Sequence, residues 1–254
     1  MTMQLSPANF HAASSNVRPL LMPSFPRTET IEETLPFTVR MASDAQALSK
    51  AVEIRHAAYK RHVPLFAESL KEPEATDAED GVVVLLAESK LDGTALGTMR
   101  IQTNRFKPLC LEQSVALPDS LAGRTLAEAT RLGVTEQRIG RVVKNVLFKA
   151  FYLYCRDSGV HSMVVAGRAP IDRQYARLMF EDVYPEKGFI PLRHAGDMPH
   201  RIMRLKVADA KAKWQDAMHP LYDFFIRTSH PDIHVGATKN NVLPFAPLKT
   251  LRLR

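Results

Sequence analysis

The sequence predicts an α+β fold in which helices flank a central mixed, mostly antiparallel sheet. Two apolar segments joined by the turn Asp92-Gly93 are typical of a pair of antiparallel strands. Further along the chain, apolar segments of strand length alternate with segments of helical periodicity, which indicates strand–helix crossovers. Antiparallel strands followed by crossovers produce a sheet of mixed direction.

The composition is that of a globular protein large enough for a complete core. Of the 254 residues, 45% are apolar and 24% are charged. The formal net charge of +7 favours a nucleic acid, an anionic lipid or an acidic protein as partner. No apolar segment reaches the length of about 18 residues needed to span a membrane, and the N-terminus lacks the pattern of a secretory signal. The two cysteines match no disulfide or zinc pattern. We therefore expect a cytoplasmic protein.

Three segments are expected along the chain. Residues 1–35 contain several prolines and no periodicity, which predicts a flexible N-terminal arm. Residues 36–208 carry the strand and helix patterns and are expected to form the folded domain. Residues 209–254 begin with a helical pattern and end in a segment rich in proline and asparagine, which predicts a C-terminal helical extension and tail.

The elements follow from local patterns in chain order. A capping box that begins at Ser43 predicts a helix ending near Arg61. A polar loop follows at 63–80, and we expect its acids to be solvated: Glu74, Asp77, Glu79 and Asp80. Strands are predicted at Phe37–Met41, 81–88, Ala95–Thr103, 125–135, 161–166, 188–193 and 201–207, the last two paired across 194–197. Helical periodicity predicts further helices at 136–159, 169–183 and 208–217.

The strand at 125–135 and the helix behind it are the centre of the prediction. Alternation places Glu128 and Thr130 on one face of the strand and Arg131 on the other. Such polar residues in an otherwise apolar strand are costly to bury without a functional reason. Basic residues fall off the apolar stripe of the helix: Arg138, Arg141, Lys144, Lys149 and Arg156. Because Gly140 lies near the helix start, where free backbone N–H groups can hold an anion, we expect a site for an acyl thioester on a phosphate-bearing arm.

Four short motifs occur in order between residues 53 and 131. They are Glu53-Ile-Arg55-His-Ala-Ala-Tyr59, Asp77-x-x-Asp80, Gly97-Thr-Met-Arg100 and Glu128-Ala-Thr130-Arg131. In these motifs the chain resembles the acyl-homoserine-lactone (autoinducer) synthases and the bacterial N-acyl amino acid synthases, which share a GNAT-like acyltransferase fold. The resemblance to the N-acyl amino acid synthases extends through residues 188–189, 194–200 and 219–233.

The resemblance implies an enzyme that moves a long-chain fatty acyl group from acyl carrier protein to the amine of an amino acid, giving an N-acyl amino acid. It implies no bound cofactor beyond the acyl-phosphopantetheine of the donor. Val142 stands where the coenzyme A loop of the GNAT superfamily has a small residue, and its branched side chain disfavours coenzyme A as donor. The expected contacts of the carrier protein or its phosphopantetheine are Arg138, Gly140, Arg141, Lys144 and Lys149. A lipid product would bring the protein to a membrane surface.

The resemblance also assigns residues to the reaction. Glu128 is the candidate general base that takes a proton from the amine. The expected substrate-binding residues are Arg55, Tyr59, Asp77, Asp80, Arg100, Thr130 and Arg131. Any of the three arginines can pair with the substrate carboxylate, and the two aspartates either contact the substrate or organise the arginines. The alternative is that Glu128 and Arg131 belong to a buried ion-pair network that only fixes the fold.

Two other chemistries are disfavoured. Cys110 has no base near it in the sequence, so we do not expect it to accept an acyl group. The spacings of His194, His200, His219 and His230 match no zinc pattern, and we expect these histidines to cap or pack rather than to bind metal.

Two alternative functions stay open. An acyl-homoserine-lactone synthase would use S-adenosylmethionine and would not need the residues beyond about position 210. A non-catalytic basic protein that binds nucleic acid would interleave basic and aromatic residues on one surface, whereas the basic residues here are spread along the chain. We therefore expect no nucleic-acid partner.

Overall fold

The structure, a computed structural model, describes residues 31–236. The strands of this part are β1 (Ile31–Glu32), β2 (Phe37–Met41), β3 (Val82–Ser89), β4 (Ala95–Thr103), β5 (Leu126–Val134), β6 (Ser162–Gly167), β7 (Glu181–Asp182), β8 (Ile190–Leu192), β9 (Met198–Lys206), β10 (Thr228–Ser229) and β11 (Ile233–His234). The α-helices are α1 (Ala45–Lys60), α2 (Pro64–Ala67), α3 (Gly140–Asp157), α4 (Ile171–Arg177) and α5 (Val207–Asp216). The predicted arm at 1–30 and tail at 237–254 lie outside the described residues.

The main sheet has the strand order β11-β2-β3-β4-β5-β6-β9-β7, and β8 pairs with β9. Strands β2 to β5 are antiparallel to one another, and β6 and β9 are antiparallel, while β11 with β2 and β5 with β6 are parallel pairs. The parallel strands β5 and β6 are bridged by α3, as a parallel connection requires. The predicted α+β class, with a mixed and mostly antiparallel sheet, is confirmed.

Helices cover both faces of the sheet. On one face, side chains of α3 and α5 such as Phe151 and Trp214 pack with Leu85 and Met99 in the largest core cluster. On the other face, α1 packs against Val84 and its neighbours on β3. Alternate residues of β3 therefore belong to different cores, so this strand is buried on both sides and reads as a continuous apolar run.

Strand β5 contains a β-bulge next to the predicted site residues Thr130 and Arg131. Thr98 pairs with Gly133 and Arg100 pairs with Thr130, so Arg131 and Leu132 together oppose a single residue of β4. Arg131 has φ 55°, in the left-handed region. The bulge interrupts the alternation and brings Arg131 to the same ion-pair network as Arg100, a residue bonded to Thr130. The prediction that Arg131 and Thr130 lie on opposite faces is therefore wrong.

The bulge coincides with a gap in the sheet. β5 pairs with β6 only over Leu126–Ala129 and Ser162–Val165. Beyond Ala129 and Val165 the two strands no longer pair, although β5 continues to Val134 and β6 to Gly167. The sheet is therefore open between the C-terminal ends of β5 and β6.

Several predicted boundaries are corrected. Asp44, not Ser43, caps α1, since its carboxylate accepts a hydrogen bond of 2.8 Å from the N–H of Ala47. The helix predicted at 169–183 ends at Arg177, because the chain reverses at Met179 with φ 68° and continues as β7. The helix predicted at 136–159 begins at Gly140. The pairing of β8 with β9 across 194–197 is as predicted.

The C-terminal segment adds strands as well as helix. After α5 come a π-helical turn at Asp223–Arg227 and β11, which extends the main sheet beside β2. Lys149 of α3 holds this segment in place: its ammonium group donates to the carbonyl oxygens of Phe224 and Thr228 at 2.6 and 2.5 Å and lies 2.8 Å from Nδ1 of His230. Burial lowers the pKa of Lys149 to about 8.

Lys149 is 2% exposed and is not a surface residue. The prediction that it contacts a carrier protein is therefore wrong. An amphipathic pattern assigns Lys149 to the polar side of α3, but the long side chain reaches backbone carbonyls that the C-terminal segment supplies from beyond position 220.

Within residues 31–236, no helix is long and apolar enough to cross a bilayer.

Candidate functional site

A cavity of about 470 Å³ opens where β5 and β6 separate. Its walls come from the end of α1, the bulged half of β5, the start of α3, α4, and the turn between β8 and β9. The apolar part of the lining includes Phe66, Leu132, Ile171 and Tyr175. Within residues 31–236, the lining contains no aspartate or glutamate. It contains four basic side chains: Arg61, Arg131, Lys144 and Arg168. The cavity is therefore suited to a ligand that is apolar in part and carries negative charge.

Beside the cavity, Glu74 joins three arginines. Its carboxylate accepts hydrogen bonds from Arg55 at 2.8 Å, from Arg100 at 3.0 Å and from Arg131 at 2.6 Å. Asp77 adds contacts of 3.0 Å with Arg55 and 3.2 Å with Arg100. Three positive charges and two negative charges leave this cluster with one net positive charge.

The charges of the cluster stabilise one another. Burial alone would raise the pKa of the Glu74 carboxyl, but the hydrogen bonds and charge of Arg131, with the charges of Arg100 and Arg55, lower it to about 2. Burial would likewise lower the pKa of Arg131, and its bonds to Glu74 raise it above the ordinary value instead. Glu74 is therefore ionised at neutral pH, and the prediction that the acids of this loop are solvated is wrong for Glu74 and Asp77.

Only one of the three candidate arginines faces the cavity. Arg131 lines it, whereas Arg55 and Arg100 are 0% and 1% exposed and lie behind. Their guanidinium groups bind Glu74 and Asp77, so Asp77 organises the arginines, one of the two predicted roles. Arg131 is therefore the arginine that can bind a ligand carboxylate.

The other predicted substrate residues separate into two groups. Tyr59 and Thr130 line the cavity, and Thr130 accepts a hydrogen bond of 3.1 Å from Nε of Arg100. Asp80 is exposed and, within residues 31–236, makes no hydrogen bond or ion pair with the cluster. The structure therefore does not bring Asp80 to the site.

Glu128 is fully buried beside the cavity. Oε2 accepts a hydrogen bond of 3.2 Å from the N–H of Leu111, while Oε1 has no hydrogen-bond partner within residues 31–236 and lies 3.5 Å from Nε2 of His194. Burial raises the pKa of Glu128 to about 7. The described cavity lining includes His194 but not Glu128, so His194 stands between this carboxylate and a ligand.

His194 is a site residue that the sequence does not reveal. It lies in the turn between β8 and β9, and it was expected to cap or pack. Burial, followed by the charges of Arg131, His200 and Arg100, lowers the pKa of His194 to about 4, so its ring is neutral at pH 7. Nδ1 is buried and, within the described residues, has no hydrogen-bond partner. No local pattern marks a histidine in a turn as the neighbour of a distant strand.

The start of α3 forms one wall. A Cβ on Gly140 would lie 2.2 Å from the carbonyl oxygen of Thr135, so only glycine lets the helix begin this close to the end of β5. Lys144 lines the cavity and donates to Gln174 of α4. Arg138, Arg141 and Val142 are exposed at this end of the helix. The basic residues at this end of α3 are therefore the exposed Arg138 and Arg141 and the partly buried Lys144, without Lys149.

The remaining candidate groups are the thiol of Cys110, as an acyl acceptor, and the histidines, as metal ligands. The thiol of Cys110 donates to Oε1 of Gln102 at 2.9 Å, and burial raises its pKa. Within residues 31–236, no group of three metal-ligating side chains is close enough together to hold an ion.

No protein-family profile and no curated protein sequence matches the chain. Among solved structures, it is similar to FeeM, an N-acyl amino acid synthase from uncultured soil microbes, with a TM-score of 0.54 and 18% identity over 74% of this chain and 96% of that one. The acyl-homoserine-lactone synthase LasI matches with a TM-score of 0.49 and 14% identity over 67% and 90%. A GNAT-family acetyltransferase from Desulfovibrio desulfuricans, described as putative in its own structure report, matches with a TM-score of 0.48 and 15% identity over 67% and 99%. The similarity to FeeM, together with the strand order, establishes that the chain has the GNAT-like fold.

Proposed function

We propose that the protein transfers an acyl group from a thioester donor to the amine of an amino acid, giving an N-acyl amino acid. The observation that carries this proposal is the cavity at the gap between β5 and β6, whose described lining has four cations and no carboxylate and which ends beside Glu128. An amino acid has the carboxylate that Arg131 can bind and the amine that needs a base. The fold shared with an N-acyl amino acid synthase agrees with this acceptor.

The donor is a phosphopantetheine arm on acyl carrier protein. Residues 130–134 of β5 have no pairing partner in β6. The carbonyl oxygen of Val134 accepts a hydrogen bond from Arg61, and the backbone groups of residues 130–133 on that side can bond an extended amide-bearing arm. Arg138, Arg141 and Lys144 at the start of α3 supply positive charge for the phosphate and for an acidic carrier. The exposed Val142 at the same end disfavours the close pyrophosphate contact that coenzyme A needs.

The reaction is an attack of the neutral amine on the thioester carbonyl. A C–N bond forms, the C–S bond breaks, the amine proton is taken by a base, and the pantetheine sulfur leaves as a thiolate that is then protonated. Backbone N–H groups of the unpaired part of β5 stabilise the oxyanion. Glu128 takes part in general base catalysis, since its raised pKa of about 7 suits proton transfer near neutral pH.

The acyl chain occupies the apolar part of the cavity beside Phe66, Ile171 and Tyr175. Each buried CH₂ contributes about 0.8 kcal/mol, so a long chain is favoured over an acetyl group even after ordering costs. The apolar segments Val82–Leu86 of β3 and Met163–Val165 of β6 are core residues for the most part, so the acyl chain is assigned to the cavity.

The test combines purified protein, acyl carrier protein loaded with C2 to C16 chains, and a pool of amino acids, with mass spectrometry of the products. We expect N-acyl amino acids and a rise in kcat/KM of at least tenfold from C4 to C14. Glu128→Gln should lose activity by on the order of 100-fold, whereas Glu53→Gln, at an exposed position on α1, should not. Homoserine lactones formed from S-adenosylmethionine would favour an autoinducer synthase instead, and a flat chain-length series would refute a long-chain product.

A further inference from the structure

We propose that His194 is the group that takes the proton from the attacking amine, and that Glu128 acts through His194 as a positioning residue. This inference rests on the proposed acyl transfer and identifies which atom carries out its proton transfer. The sequence motif assigns that role to the glutamate alone.

The first argument is access. Glu128 is 0% exposed, and the described cavity lining does not include it. His194 does line the cavity, and its Nε2 lies 3.5 Å from Oε1 of Glu128. Because Nδ1 is buried, Nε2 is the ring nitrogen left to face a ligand. A substrate amine therefore meets the imidazole before it can meet the carboxylate.

The second argument is that polar atoms are left unsatisfied in one place. Oε1 of Glu128 and Nδ1 of His194 are both buried, and neither has a hydrogen-bond partner within the part of the chain that the structure describes. A buried polar atom without a partner costs about 1–3 kcal/mol, so two such atoms on neighbouring side chains need an explanation. For Oε1 of Glu128, a proton received by His194 during the reaction supplies one, because the N–H at Nε2 of an imidazolium can donate to it.

The third argument is the link to the acceptor site. Nη2 of Arg131 donates to the backbone carbonyl of His194 at 2.9 Å, while the same guanidinium faces the cavity. The N–H of Arg193 donates to Ser114, which fixes the turn from the other side. The arginine that binds the substrate carboxylate thus also holds the histidine, and the carboxylate and amine of an α-amino acid are adjacent groups. A carboxylate on Arg131 therefore places the amine near the imidazole.

His194 takes up one proton and returns it within a single turnover. The amine lone pair attacks the thioester carbonyl, and the N–H proton passes to the lone pair on Nε2 of His194. The resulting imidazolium is stabilised by the ionised carboxylate of Glu128. Collapse of the intermediate breaks the C–S bond, and the thiolate takes up the proton, which returns His194 to its neutral form.

The charges around His194 come from every element packed against it. Arg131 and Glu128 face it from β5, Arg100 from β4 and His200 from β9, and the backbone of Cys110 lies on the remaining side. The two arginines and burial keep the imidazole neutral, and only the carboxylate opposes them. The pKa of His194 is lowered to about 4 and that of Glu128 is raised to about 7, so the step near pH 7 in this coupled pair is the ionisation of Glu128.

The kinetic test compares His194→Gln, His194→Ala and Glu128→Gln with the wild type, with His161→Gln as a control at a histidine outside the cavity lining. We expect His194→Gln to lower kcat by on the order of 100-fold with little change in the KM of the amino acid. The rise of kcat/KM through about pH 7 should disappear in Glu128→Gln. Added imidazole should restore His194→Ala at least tenfold, while His161→Gln behaves as wild type.

Two results would overturn the assignment. One is a His194→Gln variant within threefold of wild type. The other is a His194→Ala variant that imidazole does not rescue although it remains folded by circular dichroism, as expected if Glu128 acts through a water molecule. If the wild type acylates no amine at all, the proposed function itself is refuted, and this step with it.

A measurement without substrate tests the pairing separately. In protein labelled with ¹⁵N-histidine, the ring signals of His194, assigned from their absence in His194→Gln, should shift as Glu128 titrates near pH 7 and should not do so in Glu128→Gln. Signals of His194 that ignore the Glu128 substitution would contradict the pair, whatever the activity of the protein.

Discussion

Glu74 is the residue on which three buried arginines converge. Glu74→Gln keeps the shape of the side chain but leaves those arginines with only Asp77 as a nearby acid. Removing one partner of a buried ion pair costs about 3–5 kcal/mol, because the remaining charge is uncompensated. We expect a loss of unfolding free energy of that size in urea titrations, with Glu53→Gln as the exposed control. A loss under 1 kcal/mol would show that the arginines are solvated.

The same carboxylate sets the acid limit of stability. Its pKa in the folded protein is about 2, below the ordinary value of 4.5, so its contribution is complete above pH 4.5 and is lost as the pH falls toward 2. In Glu74→Gln this pH dependence should be weaker.

Glu128 acts on stability in the opposite direction. Its folded pKa of about 7 exceeds the ordinary 4.5, so the folded state holds a proton that the unfolded state releases. The contribution of Glu128 to the unfolding free energy therefore falls as the pH rises from about 4.5 to 7, whereas His194, with its pKa lowered to about 4, contributes with the opposite sign. The difference between wild type and Glu128→Gln isolates the fall that belongs to Glu128. Urea titrations at several pH values measure both slopes. A fall that is identical in wild type and Glu128→Gln would place the proton on another group.

At the scale of elements, Lys149 fastens α3 to the C-terminal segment. Lys149→Met retains the apolar stem but leaves the carbonyl oxygens of Phe224 and Thr228 without their donor. Since each unpaired buried group costs about 1–3 kcal/mol, we expect a loss of about 3 kcal/mol and a lower melting temperature. Arg156→Met, exposed on the same helix, should change stability by less than about 0.5 kcal/mol. Equal effects of the two substitutions would contradict the clamp.

Local sequence patterns were sufficient for elements that depend only on their own residues. β2 and β4 lie where alternation and apolar runs put them, since their side chains simply fill the core. The end of α4 was missed because a left-handed Met179 has no sequence signature, and the face of Arg131 was missed because a bulge is invisible to a period of two.

The site was predictable in its charges but not in its contacts. The motifs already named Arg55, Arg100 and Arg131 as site residues. That Glu74 is their partner depends on how a loop of 63–80 folds back over the sheet, and no spacing in the chain encodes it. His194 reaches Glu128 only because β8 and β9 carry their turn to the gap in the sheet.

At the scale of the whole molecule, the chain carries a net charge of +7, and two of its exposed arginines, Arg138 and Arg141, lie together at the N-terminal end of α3. Charge reversal at Arg138 and Arg141 should raise the KM for an acyl carrier protein, mainly through slower association, and the difference should shrink at high salt. Arg156→Glu, at the other end of the same helix, is the matched control. Equal effects at both ends, or equal kcat/KM with acyl-coenzyme A, would argue against a docked carrier.

Between the two halves of the sheet, β2–β5 and β6–β9, the strand pairing within residues 31–236 consists of the four residue pairs from Leu126–Ala129 to Ser162–Val165. A donor arm bonded along the unpaired margin of β5 would restrict the relative motion of the halves before the amino acid arrives. The second ligand then loses less conformational entropy, which is positive cooperativity without any change of shape. Linkage requires the amino acid to tighten donor binding by the same factor, so calorimetry should give a lower Kd for the amino acid in the presence of a non-transferable donor than with the free protein.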